Sequence, residues 1–278
     1  MAITAADVKA LREKTGAGMM ECKKALTDCN GDIAEAEKLL KEKGLAAVAK
    51  RSDRATAEGR LFIRRNGDRI VAVEMTCETD FVANNVDFVA LGEKMLDVTI
   101  EKGYTKVEQE HQDLIKELAV KIRENMNVSR VEVIDVPAGS AGASYVHSDK
   151  KTGAVVVVNG SDADIVKQFA YDCCLHMVAF TPAYISQKDV PQSYIDEQTE
   201  IFKAQMDQDE KMASKPENVR AGILQGKIKK HLAEICFEDQ MFVKDDKKTV
   251  SAKLAEIGKE AGAKLEFGRI VLFVLGKQ

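Results

Sequence analysis

No stretch of the 278 residues approaches the ~18 consecutive apolar positions that a membrane-spanning helix needs. The opening residues, MAITAADVKALREKTG, also lack a basic start followed by an apolar run, so no leader is expected and a cytoplasmic location is. An excess of one charge is missing too. Lys and Arg number 41 against 45 Asp and Glu, and a net charge of -4 offers no electrostatic case for nucleic acid or an anionic membrane. Any specific partner has to be recognised by shape. Cys22, Cys29, Cys77, Cys173, Cys174 and Cys236 form no CxxC pair and stand among Met, Leu, Val and Phe, which predicts reduced core residues and not a disulfide framework. His111, His147, His176 and His231 give no HExxH and no repeated ligand spacing, so neither a metal nor a cofactor is expected.

What remains is a globular composition, 45% apolar and 31% charged, long enough for two domains or one domain with appendages. Residues 4–43 read as three short helices, capped by Thr4, punctuated by Gly16 and Gly31, and followed by Gly44. Val8 and Leu11, then Cys22, Leu26 and Cys29, then Ile33, Ala36, Leu39 and Leu40 give each helix one buried stripe. A connector, LAAVAKRSDRATAEG, places a boundary near residue 55.

GRLFIRRNGDRIVAVEMT alternates around Asn66-Gly67, the signature of a hairpin with a type I′ turn. Asn84 with Asp87 resembles a capping box for a helix bearing Phe88, Leu91, Met95 and Val98, and a second helix is expected over 108–125. VSRVEVIDV then returns to strand alternation. From residue 142 the plan repeats: a hairpin around Lys151 to Gly153, then a long helix ending at Thr181-Pro182. Residues 187–230 are strongly charged with narrow apolar stripes, Ile195, Phe202 and Met206 on one and Val219 and Ile223 on the other. They read as an antiparallel helical hairpin, with Pro216 starting its second arm. A helix near 249–260 and a buried strand, GRIVLFVLG, close the chain. The fold class is therefore α+β: a three-helix module with its linker (residues 1–55), two similar α+β core subdomains (56–139 and 140–278), and a helical hairpin inserted in the second.

Three places draw attention. In TGAGMMECKKAL the adjacent Met19 and Met20 cannot both face one core, so one is expected at the surface as an adaptable contact, with Arg12 nearby. On spacing alone the ordinary alternative, a gap-filling Met and solvated Arg12 and Lys23, is favoured, and no GK[ST] follows to make a P-loop. In TCETDFVANN the ordinary reading of Phe81 is a lid folded on the core, with Asp80 as a helix cap. No Ser, His or second acid nearby completes a catalytic set. His147, beside Tyr145 on a strand, reads equally as a surface residue or a contact.

LREKTGAGMMECKKAL (11–26) and EMTCETDFVANN (74–85) resemble the two signature segments of the elongation factor Ts family, guanine-nucleotide exchange factors for elongation factor Tu. KIRENMNVSRVE and GKIKKHLAEICFEDQMFV are similar to further family segments, and Thr76 stands where the family usually has Asn. The resemblance implies that the three-helix module is ubiquitin-associated-like and docks on the GTPase through Arg12, Met19, Met20 and Lys23. It implies that Thr79, Asp80, Phe81 and Val82 form the exchange wedge. His147, Met126 and Ile235 are implied as further partner contacts, and the hairpin as a coiled-coil projection for self-association as a homodimer. No covalent chemistry is implied. Two rivals stand beside this: a ubiquitin-like-binding adaptor built on the three-helix module, which leaves Thr79–Val82 as plain core, and a small-molecule enzyme.

Overall fold

Thr4 opens the first helix by a closed capping box, its hydroxyl accepting from the Asp7 N–H while the Asp7 carboxylate accepts the Thr4 N–H. The structure is a computed structural model and describes residues 3–277. Helix α1 (Ala5–Thr15) stops at Gly16, whose φ of 67 is left-handed. Helix α2 (Met19–Asp28) follows, then α3 (Ile33–Ala49), started by the Asp32 carboxylate accepting from the Ala34 and Glu35 N–H groups. Val8, Leu11, Cys22, Leu26, Ala36 and Leu40 form the small core between them. Gly44 does not end α3, as its composition suggested; the helix runs five residues further, to Ala49. The glycine is there for close approach, because a Cβ would lie 2.4 Å from Cγ1 of Val120.

Strands β1 (Glu58–Asn66) and β2 (Arg69–Cys77) pair antiparallel with Asn66 opposite Arg69, so the turn is made by Gly67 and Asp68, one residue later than expected. Positive φ occurs at Gly67 (61°) and not at Asp68, the pattern of a type II′ turn instead of I′. Next come the single turn α4 (Asp80–Ala83), α5 (Val86–Lys102), α6 (Gln109–Ile122) and β3 (Met126–Asp135), which pairs with β2 to give the order β1-β2-β3. The cap of α5 is Asn85, which accepts from the Asp87 N–H; Asn84 closes α4 instead. Phe62, Val73 and Met75 of the sheet meet Phe88, Met95, Leu96 and Ile115 of the helices in one buried core.

The second half repeats this plan. Strands β4 (Ala141–Val146) and β5 (Thr152–Asn159) are joined through residues 147–151, earlier than the expected turn at Lys151 to Gly153. Helix α7 (Asp164–Phe180) ends at Thr181 in the left-handed region. After α8 (Gln192–Gln208), the turn α9 (Glu210–Ala213) and α10 (Glu217–Ile235) come β6 (Met241–Phe242), β7 (Asp245–Thr249), α11 (Val250–Glu260) and β8 (Glu266–Val274). The sheet order is β4-β5-β8, so in both halves the second hairpin strand is central and a later strand joins it. The small ribbon of β6 and β7 has no counterpart in the sequence reading. β8 lies at a sheet edge, and only Val271 and Phe273 within it are buried, so the strand expected to be buried in a sheet is in the sheet but only partly buried.

Two compact units result. One holds the residues up to Asp135 with Val146–Thr152 and the residues from Phe273 on, and the other Val136–Tyr145 with Gly153–Leu272. All six cysteines are free thiols, five buried and Cys29 half-buried. Burial pushes the Cys77 and Cys174 thiols up to about 12 and Cys236 up to about 11.

The stripe Ile195, Phe202 and Met206 is not left open to solvent: Ile195 and Phe202 are half-buried and Met206 is buried. Ile195 joins Tyr194, Ile228, Leu232 and Cys236, the Phe202 ring meets His231 edge-on at 5.7 Å, and Met206 is buried. Early α8 therefore touches late α10, which makes the pair antiparallel.

Two buried histidines are built in as neutral rings. Nδ1 of His111 accepts from the Glu108 N–H at 3.0 Å and Nε2 lies 2.9 Å from Oγ1 of Thr99. In the other half, Nδ1 of His176 accepts from the Val243 N–H at 3.1 Å and Nε2 lies 2.9 Å from Oε1 of Gln240. Burial holds both pKa values below the ordinary histidine value, against Glu110 and Glu108 for His111 and against the Gln240 bond for His176. The unfolded chain therefore binds more protons than the folded one below the ordinary value of about 6.5, and stability falls as pH falls from there toward the folded pKa. Each ring contributes a slope of at most about 1.4 kcal/mol per pH unit. Urea unfolding at pH 7.5 and 5.5 checks this. A His111→Gln, His176→Gln double variant is expected to flatten the difference, and an unchanged difference would exclude these rings as its source.

Candidate partner-binding surface

β2 ends at Cys77, and the chain turns through Glu78 and Thr79 into α4. Thr79 is the pivot. Its hydroxyl accepts from the Val82 N–H at 3.3 Å, the N-cap bond, and donates to Oε1 of Glu124 at 2.7 Å. Its own N–H donates to Oε2 of Glu124 at 3.1 Å. Beside it, Glu78 accepts from the Asn125 N–H at 2.6 Å and pairs with Arg54 at 3.3 Å. On the far side, the Asn84 amide donates to the Asp80 carbonyl at 2.8 Å and accepts from Arg60 at 3.0 Å. Val82 and Ala83, 8% and 4% exposed, plug the turn into the first core. Thr76, at the base of the turn, is buried with its hydroxyl 3.1 Å from that of Thr56.

The turn leaves Asp80 in solvent and Phe81 84% exposed. Phe81 is therefore no lid on the core, and the cap is Thr79, not Asp80. A single exposed aromatic is ordinary; this one leaves the chain from a turn whose backbone is tied on both sides of it. Burying it elsewhere is worth about 1.5 to 3 kcal/mol.

Met19 and Met20 start α2, and both are exposed, 55% and 76%, where the sequence led us to expect one. Arg12 and Lys23 are exposed as well. The start of α2 is tied down: Glu21 accepts from the Gly18 N–H at 3.0 Å and pairs with Arg123. Those two contacts, the backbone one first, hold the Glu21 carboxyl below its ordinary range.

Arg123 and Glu124 are thus neighbours in the chain, one holding the helix of Met19 and Met20 and the other the turn of Phe81. Asn125 completes the set by donating its amide to the carbonyls of Ser52 and Arg54 at 3.1 and 2.7 Å. Sequence reasoning missed all three. Their signals were a polar triplet between a helix and a strand and a place in the family-like segment KIRENMNVSRVE, neither of which says what the three side chains hold.

His147 sits in the turn between β4 and β5, half exposed, with Nδ1 3.1 Å from the Asp149 carboxylate. In the same turn Lys151 pairs with Glu58 at 2.5 Å; that bond first, and the charges of Glu58, Asp149 and Asp80 after it, raise its pKa. Met126, 7% exposed, belongs to the first core and presents no free surface. Ile235 is half-buried beside Val190, Leu232 and Cys236, and its carbonyl accepts from the Ala183 and Tyr184 N–H groups. Among the described residues, no group of three or more His, Cys, Asp or Glu is placed to hold a metal ion, and no helix is long and apolar enough to cross a membrane.

A family model described as elongation factor TS matches residues 78–277, from the residue before Thr79 onward. Over 99% of both chains, the sequence is 53% identical to an elongation factor Ts of Treponema denticola. It is 47% identical over the full length of both chains to one of Treponema pallidum, and 40% identical over 95% of both to one of Borreliella burgdorferi. These relatives span the three-helix module as well as the rest. A family match over most of the chain, joined to likeness of this degree from end to end, shows that the protein belongs to the elongation factor Ts family of translation elongation factors.

Proposed function

We propose that this elongation factor accelerates GDP release from elongation factor Tu, so that GTP can bind, without making or breaking a covalent bond. The observation that carries the proposal is Phe81, a large ring exposed to water on a turn whose backbone is tied on both sides of it. The physics is linkage: a factor that binds the nucleotide-free GTPase more tightly than the loaded one weakens nucleotide binding by the same ratio. Burial of the Phe81 ring in the nucleotide-free partner supplies about 1.5 to 3 kcal/mol of that difference, one to two decades of affinity. Asp80 beside it brings negative charge toward the phosphate and metal region, where the bound cation is the strongest local charge. Arg12, Met19, Met20 and Lys23 dock the three-helix module, His147 and, more weakly, Ile235 add contacts, and Val82 anchors the wedge from within. The adaptor reading leaves Thr79–Val82 as plain core, and the exposure of Phe81 runs against it.

The test is direct: add the protein to the GTPase loaded with fluorescent GDP and time the release. Release no faster than the spontaneous rate would end the proposal.

The helical hairpin is assigned no part in the exchange step. For self-association through it, Ile201 and Val219 are the large apolar side chains of α8 and α10 most open to a second chain, each 41% exposed. Replacing residues 197–225 by a short Gly/Ser link keeps Val190, Tyr194 and Ile195 with their partners Leu232 and Ile228. The shortened protein is expected to stay folded, sediment as a monomer and retain accelerated release. Complete loss of exchange in a folded, shortened protein would make the hairpin part of the mechanism.

A further inference from the structure

The junction between α6 and β3 holds three separate parts of the first unit with three successive residues. Arg123 pairs with Glu21 of α2, 102 positions away in sequence. Glu124 accepts both the hydroxyl and the N–H of Thr79, 45 positions away, and Asn125 donates its backbone N–H to Glu78 and its amide to the carbonyls of Ser52 and Arg54. Arg123 takes a left-handed backbone, φ 69, which a non-glycine residue adopts only when its surroundings impose it. That conformation ends α6 and turns the chain so that consecutive side chains serve different elements.

We propose that Arg123 and Glu124 are positioning residues for nucleotide exchange: Glu124 sets the direction of the turn that presents Phe81, and Arg123 sets the helix of Met19 and Met20 at a fixed spacing from it. The inference rests on the exchange reading given above. Neither residue needs to touch nucleotide. Glu124 is suited to the task because a carboxylate is acceptor-only and offers two oxygens at once to the N–H and O–H of a single residue. The Thr79 hydroxyl gives its proton to Glu124 and accepts the Val82 N–H on a lone pair, so the carboxylate, the cap and the buried Val82 and Ala83 form one rigid path to the neighbouring Phe81. Removing Glu124 leaves the ring in place chemically but frees its direction.

The experiment is GDP release from the loaded GTPase, titrated with the full-length protein and its variants to separate the maximal rate from the half-saturating concentration. Glu124→Ala is expected to lower the maximal rate by ~5- to 20-fold, since misplacement of a positioned group costs up to two decades, with the half-saturating concentration unchanged. Glu124→Gln keeps one acceptor and is expected to fall between the two. If Glu124→Ala does not fold, the glutamine variant carries the test. Arg123→Ala is expected to raise the half-saturating concentration and spare the maximal rate. Glu124→Ala combined with Phe81→Ala is expected to be no worse than Phe81→Ala alone, because a ring that is absent needs no direction. A destabilised but otherwise passive Glu124 site would give the opposite, losses that multiply. A wild-type maximal rate in Glu124→Ala, or multiplicative losses in the double variant, would overturn the inference. Failure of the wild-type protein itself to accelerate release would instead overturn the exchange reading, so the two failures are distinguishable.

Discussion

Phe81→Ala slows GDP release at saturating factor by ~10- to 100-fold, the kinetic equivalent of forgoing the burial of one phenyl ring in the partner. The same substitution leaves the melting temperature within about 2 °C, because a ring 84% exposed makes no core contact to lose. The two readouts together are the point. A buried phenylalanine such as Phe88, fully enclosed in the first core, would cost ~3 to 5 kcal/mol of stability on truncation. Release and melting therefore separate a wedge from a lid, and a fall of many degrees for Phe81→Ala would return the residue to the core and withdraw its role. Normal release with normal melting would leave the exposed ring without a function in exchange.

Met19→Ala combined with Met20→Ala raises the half-saturating concentration by ~10-fold or more while the maximal release rate stays within about two-fold, as expected of anchors that bind equally before and during release. The two thioethers are exposed on one helix start whose backbone is held by Gly18, Glu21 and Arg123, so their loss removes contact area without loosening α2. Arg12→Ala and Lys23→Ala act in the same direction with smaller effect and with a dependence on salt. The titration decides: if saturation fails to restore the rate of the methionine variant, these residues act in the release step and anchoring is the wrong description.

Much of the architecture is legible in local chemistry. Thr4 with Asp7, and Gly16 beyond the last turn of α1, are short-range signals, and the structure uses both where they stand. The two hairpins and the helices that follow them are read from alternation and period, which depend on neighbours a few residues apart. Where local signals compete, the outcome shifts by a residue. Asn84 and Asn85 are both cap formers, and only the bond to the Asp87 N–H assigns the cap to Asn85. Gly67 sits in both candidate turn pairs, and pairing of Asn66 with Arg69 selects the later one. Gly44 looks like a helix stop until the nearness of Val120 gives it another purpose.

The sequence by itself determined the α+β class, the three-helix start, the repeated plan of hairpin and helix, the charged helical hairpin, and the motifs around Met19-Met20 and Thr79-Val82. All of these are written in propensity, period and segments of unbroken resemblance; the third strand that joins each hairpin was left to the sheet topology. Tertiary structure alone decided that both methionines and Phe81 face solvent, that Val82 and Met126 do not, and that the stripe of α8 is not left open to it. It alone joined Glu21 to Arg123 and Thr79 to Glu124. The physical reason is the range of the interactions. Caps and turns are made by groups within four residues of each other, whereas exposure is settled by what packs from elsewhere, and a carboxylate carries no mark in the sequence of the donor, 45 residues distant, that it will hold.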